Sequence, residues 1–377
     1  MRAERDIAGI SLPFAAGVAL TAWAGHLICL HPHISLTIIF SAIAASALFL
    51  FHPVHLSASA PCLRTVICIC LGFCGILCGA TTEILSISGP LMEGIMESAK
   101  AIGASTGEAI DSIGFRSPDT NAIIKALITG DRSDIPKDIT QAFRDSGASH
   151  ILALSGLHLG IIYGILTKIL SFIGNTSSAR TLRSSVIITT CGLYTLATGA
   201  GPSIVRAFLF IFIGETARRH GRFRSTGTVL FTSLLIHLVL DPSAIREAGF
   251  QLSYAAMAGI AFIFPWLKGF WPGDKEEDSV GLPKHSPRPL RWIWTTASMS
   301  IACQVTTAPL AWFYFGTFPV HFLLTNLIAL PLTGLIIPVS LLTLGLSACG
   351  ICPAMISRAC EMLVTALSQA LEIISAM

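Results

Sequence analysis

The chain has 377 residues, of which 53% are hydrophobic and only 12% are charged, and its mean hydropathy is +0.73. Soluble domains carry roughly 25% charged residues, so this composition excludes a water-soluble enzyme, a disordered chain and a disulfide-rich secreted module. The formal net charge of +3 is too small for nucleic-acid binding through bulk electrostatics. The composition predicts an all-α polytopic membrane protein, a bundle of transmembrane helices.

Apolar runs long enough to cross a bilayer recur along the chain. A hydrocarbon core about 30 Å thick needs about 20 apolar residues in a helix, and this criterion predicts about ten to twelve spans. The first apolar run extends to about Leu30, which is long enough to span the bilayer, and more spans follow, so we interpret it as a retained transmembrane helix. The run 320–348 is interrupted by Pro331, Gly334 and Pro338, which leaves either one long span or two half-helices. The predicted spans are about 8–30, 34–51, 62–85, 148–173, 183–199, 203–219, 226–240, 248–267, 291–313, 320–348 and 353–376.

One long polar segment, residues 86–147, separates the first three predicted spans from the rest. It contains nine acidic and six basic residues. Apolar positions at helical spacing predict two short amphipathic helices, at 121–129 and 135–146, which we expect at the membrane surface. Asp134 is expected to cap the second helix, with Pro136 in its first turn. The chain is thus divided into an N-terminal three-helix transmembrane segment (1–85), an external polar insert (86–147) and a transmembrane core (148–377).

The distribution of basic residues predicts the orientation in the membrane. The densest basic run contains Arg218, Arg219, Arg222 and Arg224, and cytoplasmic loops are enriched in lysine and arginine. Counting spans outward from this run places the N-terminus in the cytoplasm and the insert on the outer side. The protein is therefore expected to be a multi-pass protein of the cytoplasmic (inner) membrane.

Arg206 is a guanidinium group inside a predicted span, where charge is costly. It lies only a few residues from the predicted outer end, so its side chain either reaches the outer interface or faces the interior of the protein. In the interior it would need a carboxylate, a set of carbonyl groups or water as a partner.

The sequence SGLHLG at 155–160 places Ser155 and His158 three residues apart, which would put them on one helix face. Gly156 and Gly160 form a small-xxx-small pair. The segment is interpreted either as a helix–helix contact with a hydrogen-bonded histidine or as a polar stripe lining a conduit. A Ser–His hydrolase is a poor third interpretation, because Ser155 does not lie in a GxSxG motif and nothing identifies a third catalytic residue.

Further polar side chains lie in later predicted spans: Gln251, Ser253, Gln304 and Asn326. Single amides often only join helices, but contributions from several spans favour a shared hydrated cavity. The sequence contains no Walker A, HExxH or HxHxDH motif. We therefore expect no enzyme activity, no cofactor and no metal site.

Four blocks of sequence, in order, resemble the ComEC-type competence membrane proteins, the inner-membrane channels for DNA uptake in natural transformation. The resemblance extends over about residues 118–345. The blocks are 126–160 (beginning ALITGDRSDIP), 201–210 (GPSIVRAFLF), 241–260 (beginning DPSAIREAGFQLSY) and 304–338 (beginning QVTTAPLAWFYFGTFP).

The resemblance implies that the chain carries single-stranded DNA across the cytoplasmic membrane. A strand with one negative charge per nucleotide needs a wet conduit with positive or amide donors. The candidates that lie in matching blocks are Asp131, Arg132, Ser155, Gly156, His158, Arg206, Gln251, Ser253, Gln304 and Asn326.

Two departures from the longer family members shape the expected partners. In the longer members that this chain resembles, a five-stranded OB-fold domain is inserted after the first spans. The corresponding interval here, 86–117, has about 30 residues, which are too few for such a domain. The chain also ends soon after the last predicted span, so no metallo-β-lactamase-like domain is expected. A core-only member would act with membrane lipids, single-stranded DNA, a separately encoded lactamase-like nuclease and a DNA-binding protein.

Two other functions remain compatible with the sequence. The missing DNA-handling domains are also consistent with a transporter of a small or lipid-like substrate. A third hypothesis is a non-catalytic membrane scaffold for separate nuclease and DNA-binding subunits.

Overall fold

The computed structural model describes residues 2–30, 69, 71–72, 74–76, 90–174, 176–219, 225–270, 288–316, 320–351 and 354–377. Within these residues the chain is helical and has no β-strand, which confirms the all-α fold class. The predicted spans at 34–51 and 62–85 lie largely outside the described residues. In chain order the α-helices are α1 (Arg2–Leu30), α2 (Pro90–Asp111), α3 (Pro118–Thr129), α4 (Lys137–Asp145), α5 (Ser149–Leu152), α6 (Gly156–Ile169), α7 (Ser177–Ala197), α8 (Pro202–Arg219), α9 (Thr226–Leu240), α10 (Ala248–Ala258), α11 (Phe264–Lys268), α12 (Arg288–Phe315), α13 (Phe322–Ala348) and α14 (Ala354–Ser375).

Three described segments are long and apolar enough to cross a membrane: Gly156–Ile173, Ala248–Lys268 and Phe322–Ala348. Two shorter apolar stretches, Ile7–Ala22 within α1 and Thr226–Leu240, accompany them. The structure is therefore that of a helical membrane protein, and the count of about ten to twelve spans stays a prediction.

Helix α13 is one continuous helix of 27 residues that contains both Pro331 and Pro338. The interpretation of this run as two half-helices was therefore wrong. A proline removes one backbone hydrogen bond and crowds the preceding turn, but neighbouring helices can hold such a helix in shape. Here α13 packs along α14, and Ile336 and Ile337 are almost completely buried.

Two other predicted spans are interrupted. The run predicted at 148–173 begins with the single turn α5 and breaks at residues 153–155 before α6 starts. Between α10 and α11 the helix widens into a π-helical turn, Gly259–Ile263. A methyl group placed on Gly259 would collide with the backbone oxygen of Ala302 in α12, so only glycine permits this close approach of the two helices.

The two amphipathic helices of the insert exist as α3 and α4, and their apolar faces are covered by protein. Ile123, Leu127 and Phe143 are at most 1% exposed, within the same core cluster as Ile336 of α13 and Leu367 of α14. Helix α3 ends at a glycine in the left-handed conformation, with φ of 85° at position 130. The amphipathic pattern thus reports burial against α13 and α14.

Asp134 does not cap α4, contrary to the sequence prediction. The N-cap position is Pro136, which has no side chain able to accept a hydrogen bond, and Asp134 instead accepts from Lys125 Nζ at 2.8 Å. Lys125 also binds Asp111 at 2.9 Å, so one ammonium group bridges two carboxylates. These bonds raise the pKa of Lys125 above its ordinary value and lower that of Asp111. The carboxylate of Asp134 is therefore turned towards α3 and away from the start of α4.

Helix α8 lies at the centre of the transmembrane core, packed against α6, α7, α9 and α10. Leu159 of α6, Cys191 of α7 and Ile204 of α8 share one buried cluster. On the other side, Leu230 and Leu238 of α9 form a second cluster with residues of α1 and α10. Polar side chains of α8 are consequently enclosed by apolar helices on several sides.

Candidate functional site

Arg206 occupies the first half of α8 and is only 8% exposed. Its Nε donates a hydrogen bond to Ser253 Oγ of α10, and Ser203 Oγ lies 3.1 Å from the same hydroxyl. The guanidinium carbon lies 5.8 Å from the ring centre of Phe210. The charge is therefore surrounded by neutral groups, a hydroxyl and an aromatic ring. Of the two interpretations left open by the sequence, the buried one describes this side chain.

The guanidinium group also lies against the start of α6. A methyl group placed on Gly156, the first residue of α6, would lie 3.1 Å from Arg206 Nη2 and 3.3 Å from Cβ of Ala207. A methyl group on Gly160 or Gly164, further along α6, would have no neighbouring atom within 4 Å. Gly156 is thus the position where α6 and the Arg206 guanidinium meet.

Ser155 lies just outside α6, but its side chain meets that of His158 as the i, i+3 spacing predicted, with 3.1 Å between Ser155 Oγ and His158 Nδ1. Ser155 is extended, with φ of −123° and ψ of 170°, and is the N-cap of α6. Its Oγ accepts from the N–H of Leu157 at 3.3 Å, and its own N–H donates to His158 Nδ1 at 3.2 Å. This reciprocal arrangement is a capping box with histidine in the usual place of glutamate or glutamine. The two side chains meet because the chain turns at Ser155.

His158 is completely buried, and one of its two ring nitrogens has a hydrogen-bond partner among the described residues. Because a backbone N–H can only donate, Nδ1 accepts, and the ring proton of a neutral imidazole then resides on Nε2. The Nε2 atom is buried and has no hydrogen-bond partner among the residues that the structure describes. The N–H groups of Leu157 and His158 both donate to Ser155, so the start of α6 is capped by its own N-cap residue.

Among the described residues, no carboxylate forms an ion pair with Arg206. The acidic residue of α8 itself, Glu215, lies nine residues further along the helix, a distance of about 13.5 Å. An unpaired buried cation is unfavourable by several kcal/mol, and one serine hydroxyl does not offset that. Within the described part of the chain, Arg206 is thus a buried cation whose hydrogen-bond partner is a neutral hydroxyl group.

Glu215 forms a second buried polar group that the sequence analysis missed. Its carboxylate is 3% exposed and accepts from Tyr163 Oη and Ser184 Oγ, both at 2.8 Å, and from Arg218 Nη1 at 2.7 Å. These donors come from α6, α7 and α8. The signal was present, since a carboxylate inside a predicted span is as informative as the guanidinium that was singled out.

Among the described residues, the three amide candidates of the core form no hydrogen bond with Arg206 or Glu215. Gln251 Nε2 donates to the backbone oxygen of Ile245 at 2.8 Å, which fastens the start of α10. Asn326 Nδ2 donates to Ser300 Oγ at 3.3 Å between α13 and α12, and its Oδ1 is buried with no partner among the described residues. Gln304 makes no hydrogen bond to any described residue. Two of these three amides therefore act as local links, and their role in a conduit stays a prediction.

Asp131 and Arg132 lie in the exposed turn that follows α3. Asp131 accepts from the N–H of Ser133 at 3.0 Å, which helps lower the pKa of its carboxyl group. A methyl group on the neighbouring Gly130 would collide with the side chain of Leu154, directly before the cap of α6. The turn therefore sits beside the start of α6 rather than among the buried groups.

Two hydrogen bonds connect the insert to α7 and α13. Tyr194 Oη of α7 donates to the backbone oxygen of Ile128 at 2.8 Å, and Thr325 Oγ1 of α13 donates to the backbone oxygen of Ser146 at 2.6 Å.

Within the described part of the chain, no group of three His, Cys, Asp or Glu side chains is placed to hold a metal ion.

Long apolar helices enclosing an unpaired guanidinium and a hydrogen-bonded carboxylate define a polytopic helical membrane protein with a polar interior. Residues 127–377 match the model of the Competence protein family. The chain belongs to that family, as its four sequence blocks indicated.

Curated relatives are similar over part of the chain. ComE operon protein 3 of Bacillus subtilis (strain 168) is 36% identical over 140 residues, which are 37% of this chain and 17% of the relative. Competence protein ComA of Neisseria gonorrhoeae is 28% identical over 148 residues, 38% of this chain and 21% of the relative. The uncharacterized protein YcaI of Escherichia coli (strain K12) is 28% identical over 151 residues, 39% and 20% respectively. The matches thus span about a fifth of these relatives, and no solved structure is significantly similar to the chain.

Proposed function

We propose that this protein takes part in DNA uptake and translocates single-stranded DNA across the cytoplasmic membrane during natural transformation. The observation that carries the proposal is the buried, unpaired Arg206 at the centre of a helix bundle whose family is the Competence protein family. An apolar bundle with no polar cargo gains nothing from such a group. A polyanion passing through the bundle would supply the missing negative charge.

The proposed path runs past the start of α6. The exposed turn with Asp131 and Arg132 lies beside this start, and Arg206 lies at its first residue. The basic residues Arg218 and Arg219 end α8, at the far end of the same central helix. Positive groups at successive depths suit the stepwise passage of a charged backbone, since each phosphate can be handed from one donor to the next.

We propose a multi-pass arrangement in the inner membrane, with the N-terminus in the cytoplasm. The support is the positive-inside rule, because the short loops assigned to the outer side, near 31–33, 199–202, 241–247 and 314–319, contain a single arginine, and the long outer insert has more acidic than basic residues. In this arrangement the acidic insert faces outward, and the basic end of α8 faces the cytoplasm.

We further propose that the protein provides the passage and no enzymatic step. The sequence has none of the P-loop or metalloenzyme motifs that ATP hydrolysis or metal-dependent nuclease activity would need. Degradation of the second strand and capture of DNA at the surface would then be supplied by a separate lactamase-like nuclease and a separate DNA-binding protein.

Deletion of the gene in a naturally transformable host should abolish transformation by added linear DNA. Labelled DNA should still bind the cell surface but should stay accessible to added nuclease, since the block lies at the inner membrane. The measurement is the transformation frequency together with the nuclease-resistant label, in the deletion strain and in the strain complemented with the wild-type gene.

Electroporation is the control, because DNA delivered that way bypasses the uptake machinery. The deletion strain should yield the wild-type number of recombinants after electroporation. An unchanged frequency of natural transformation in the deletion strain would refute the proposed function.

A further inference from the structure

The side of α6 that faces away from the core carries a lysine. Leu159 belongs to a buried core cluster, and Leu166 and Leu170 pack against that cluster. Lys168 lies two residues from both Leu166 and Leu170, and two residues turn an α-helix by more than half a revolution, so Lys168 projects from the opposite side of α6. A methyl group placed on Gly164, one turn earlier on the same face as Lys168, would meet no described atom within 4 Å. No described part of the protein therefore covers this face.

Lys168 lies inside a segment that is long and apolar enough to cross a membrane. The segment extends from Gly156 to Ile173, so the lysine is five residues from its end. Nearer to that end, the side chains of Ile169 and Phe172 are 60% and 90% exposed. These two residues are three apart at the start of a 3₁₀ turn, so they lie on the same side of the helix. Their exposure to water would cost about 1.5–3 kcal/mol each, which indicates that lipid surrounds the helix as far as Phe172.

An ammonium group at this position needs an anionic partner. Lys168 lies about one helical turn, roughly 6 Å, further into the membrane than Phe172. Its side chain forms no ion pair with a described residue, whereas Lys125 of the insert binds two carboxylates. Residues 146–214 contain four basic residues and no acidic residue, so the neighbouring sequence supplies no carboxylate. A lysine on a lipid-facing surface extends its four-carbon stem towards the head groups, where phosphate is available.

We propose that Lys168, Ile169 and Phe172 form a binding site for an anionic phospholipid. The ammonium group of Lys168 pairs with the lipid phosphate, and the two apolar side chains contact the first part of the acyl chains. In the proposed orientation of the chain, this lipid belongs to the cytoplasmic leaflet. The site faces away from the core that contains Arg206, so it does not depend on the passage of a DNA strand.

The test measures thermal unfolding of the purified full-length protein in detergent during titration with short-chain lipids. Dioctanoyl phosphatidylglycerol and dioctanoyl phosphatidylcholine have the same acyl chains and a phosphate, but only the first has a net negative charge. A ligand that binds the folded state raises the unfolding midpoint as its concentration increases. For the wild type, phosphatidylglycerol should reach half of its maximal effect at a lower concentration than phosphatidylcholine.

Substitutions separate the contribution of the charge from that of the apolar side chains. Lys168→Gln should raise the half-maximal concentration of phosphatidylglycerol by about fivefold, as expected for one basic residue at the head groups, and should remove most of the preference over phosphatidylcholine. Lys168→Arg retains the charge and should retain the preference. Phe172→Ser should weaken the response to both lipids, whereas Phe172→Leu should keep it.

Lys137→Gln is the matched control, because Lys137 is an exposed lysine at the start of α4, outside every predicted span. This variant should respond to both lipids as the wild type does. Without lipid, Lys168→Gln should unfold at the wild-type midpoint, since substitutions of exposed side chains without partners change stability little. A lower midpoint combined with an unchanged preference for phosphatidylglycerol would make the lysine a structural residue and overturn the proposal.

The competing ligand is a nucleic acid strand. Binding of fluorescent oligothymidylate, measured by anisotropy at fixed ionic strength, should be the same for the wild type and Lys168→Gln. Weaker oligothymidylate binding by Lys168→Gln, with an unchanged preference for phosphatidylglycerol, would assign the lysine to DNA and overturn the lipid site. The same preference for phosphatidylglycerol in the wild type, Lys168→Gln and Lys137→Gln would overturn it as well.

Discussion

Two ionisable side chains of one helix have opposite surroundings. Glu215 accepts hydrogen bonds from three other side chains, whereas Arg206 faces a serine, an aromatic ring and a helix N-terminus. A buried charge with a complete set of partners stabilises the local fold, and a buried charge without them is retained for another reason. Replacement of Glu215 is therefore expected to change the free energy of unfolding, and replacement of Arg206 is expected to change ligand binding.

Replacement of Glu215 by alanine should lower the free energy of unfolding by about 3 kcal/mol. The loss comes mainly from the two buried hydroxyl bonds of Tyr163 and Ser184, because a hydrogen bond to a charged group contributes about 1.5–3 kcal/mol. The ion pair with Arg218 contributes little, since that side chain is 61% exposed. The measurement is chemical or thermal unfolding of the purified protein in detergent.

Glu372→Ala is the matched control, because Glu372 lies exposed on α14. Its unfolding should be indistinguishable from that of the wild type. If Glu215→Ala and Glu372→Ala unfold at the same midpoint, the three bonds to Glu215 are not stabilising.

At the scale of the elements, interruptions of helices occur where neighbouring backbones come close. The π-helical turn between α10 and α11 begins at Gly259, which abuts Ala302 and Thr306 of α12. Such turns in helices accompany functional positions, and this one follows directly after α10, which carries Ser253. The continuous helix α13, by contrast, keeps two internal prolines without a break because α14 supports it along its length.

Gly259→Ala should destabilise the protein by about 1–3 kcal/mol, because the added methyl group meets the backbone of Ala302, which cannot move aside as a side chain could. Gly164→Ala in α6 adds the same group with no atom within 4 Å and should leave stability unchanged or raise it slightly. The midpoints of thermal unfolding of the two variants, measured side by side, test the difference. If Gly259→Ala unfolds at the same midpoint as the wild type, the backbone at Gly259 is not in close contact with α12.

At the scale of the whole molecule, the insert and the transmembrane core form one body. Helices α3 and α4 share a core cluster with α13 and α14, and hydrogen bonds from Tyr194 and Thr325 reach the ends of the two insert helices. The insert therefore has a fixed position relative to the core helices. The side of the membrane on which the insert lies is a prediction from the distribution of basic residues.

Reporter domains inserted into two loops test the orientation. Alkaline phosphatase folds only outside the cytoplasm, so its insertion after Arg132 should give an active enzyme, and its insertion after Arg222 should give an inactive one. Green fluorescent protein exported through the general secretory pathway does not fluoresce, so it should give the reverse pattern at the same two positions. Activity of the phosphatase at the second position alone would invert the proposed orientation.

The sequence by itself determined the all-α class, the membrane environment and the family, because composition and local pattern carry that information. The low content of charged residues indicated a membrane protein. Helical periodicity predicted α3 and α4, and four ordered sequence blocks indicated the family. The same local reasoning found Arg206, since any charge inside an apolar run is conspicuous.

Only the tertiary structure decided which polar groups have partners. Ser155 caps α6, Asp134 pairs with Lys125, and Gln251 binds a nearby carbonyl oxygen, and each of these depends on atoms brought together by the fold. Glu215 meets donors from three helices, whereas Arg206 meets the start of α6 without an anion. Whether a buried charge has a partner depends on the distances between side chains of different helices. These distances cannot be derived from residue types and spacing alone.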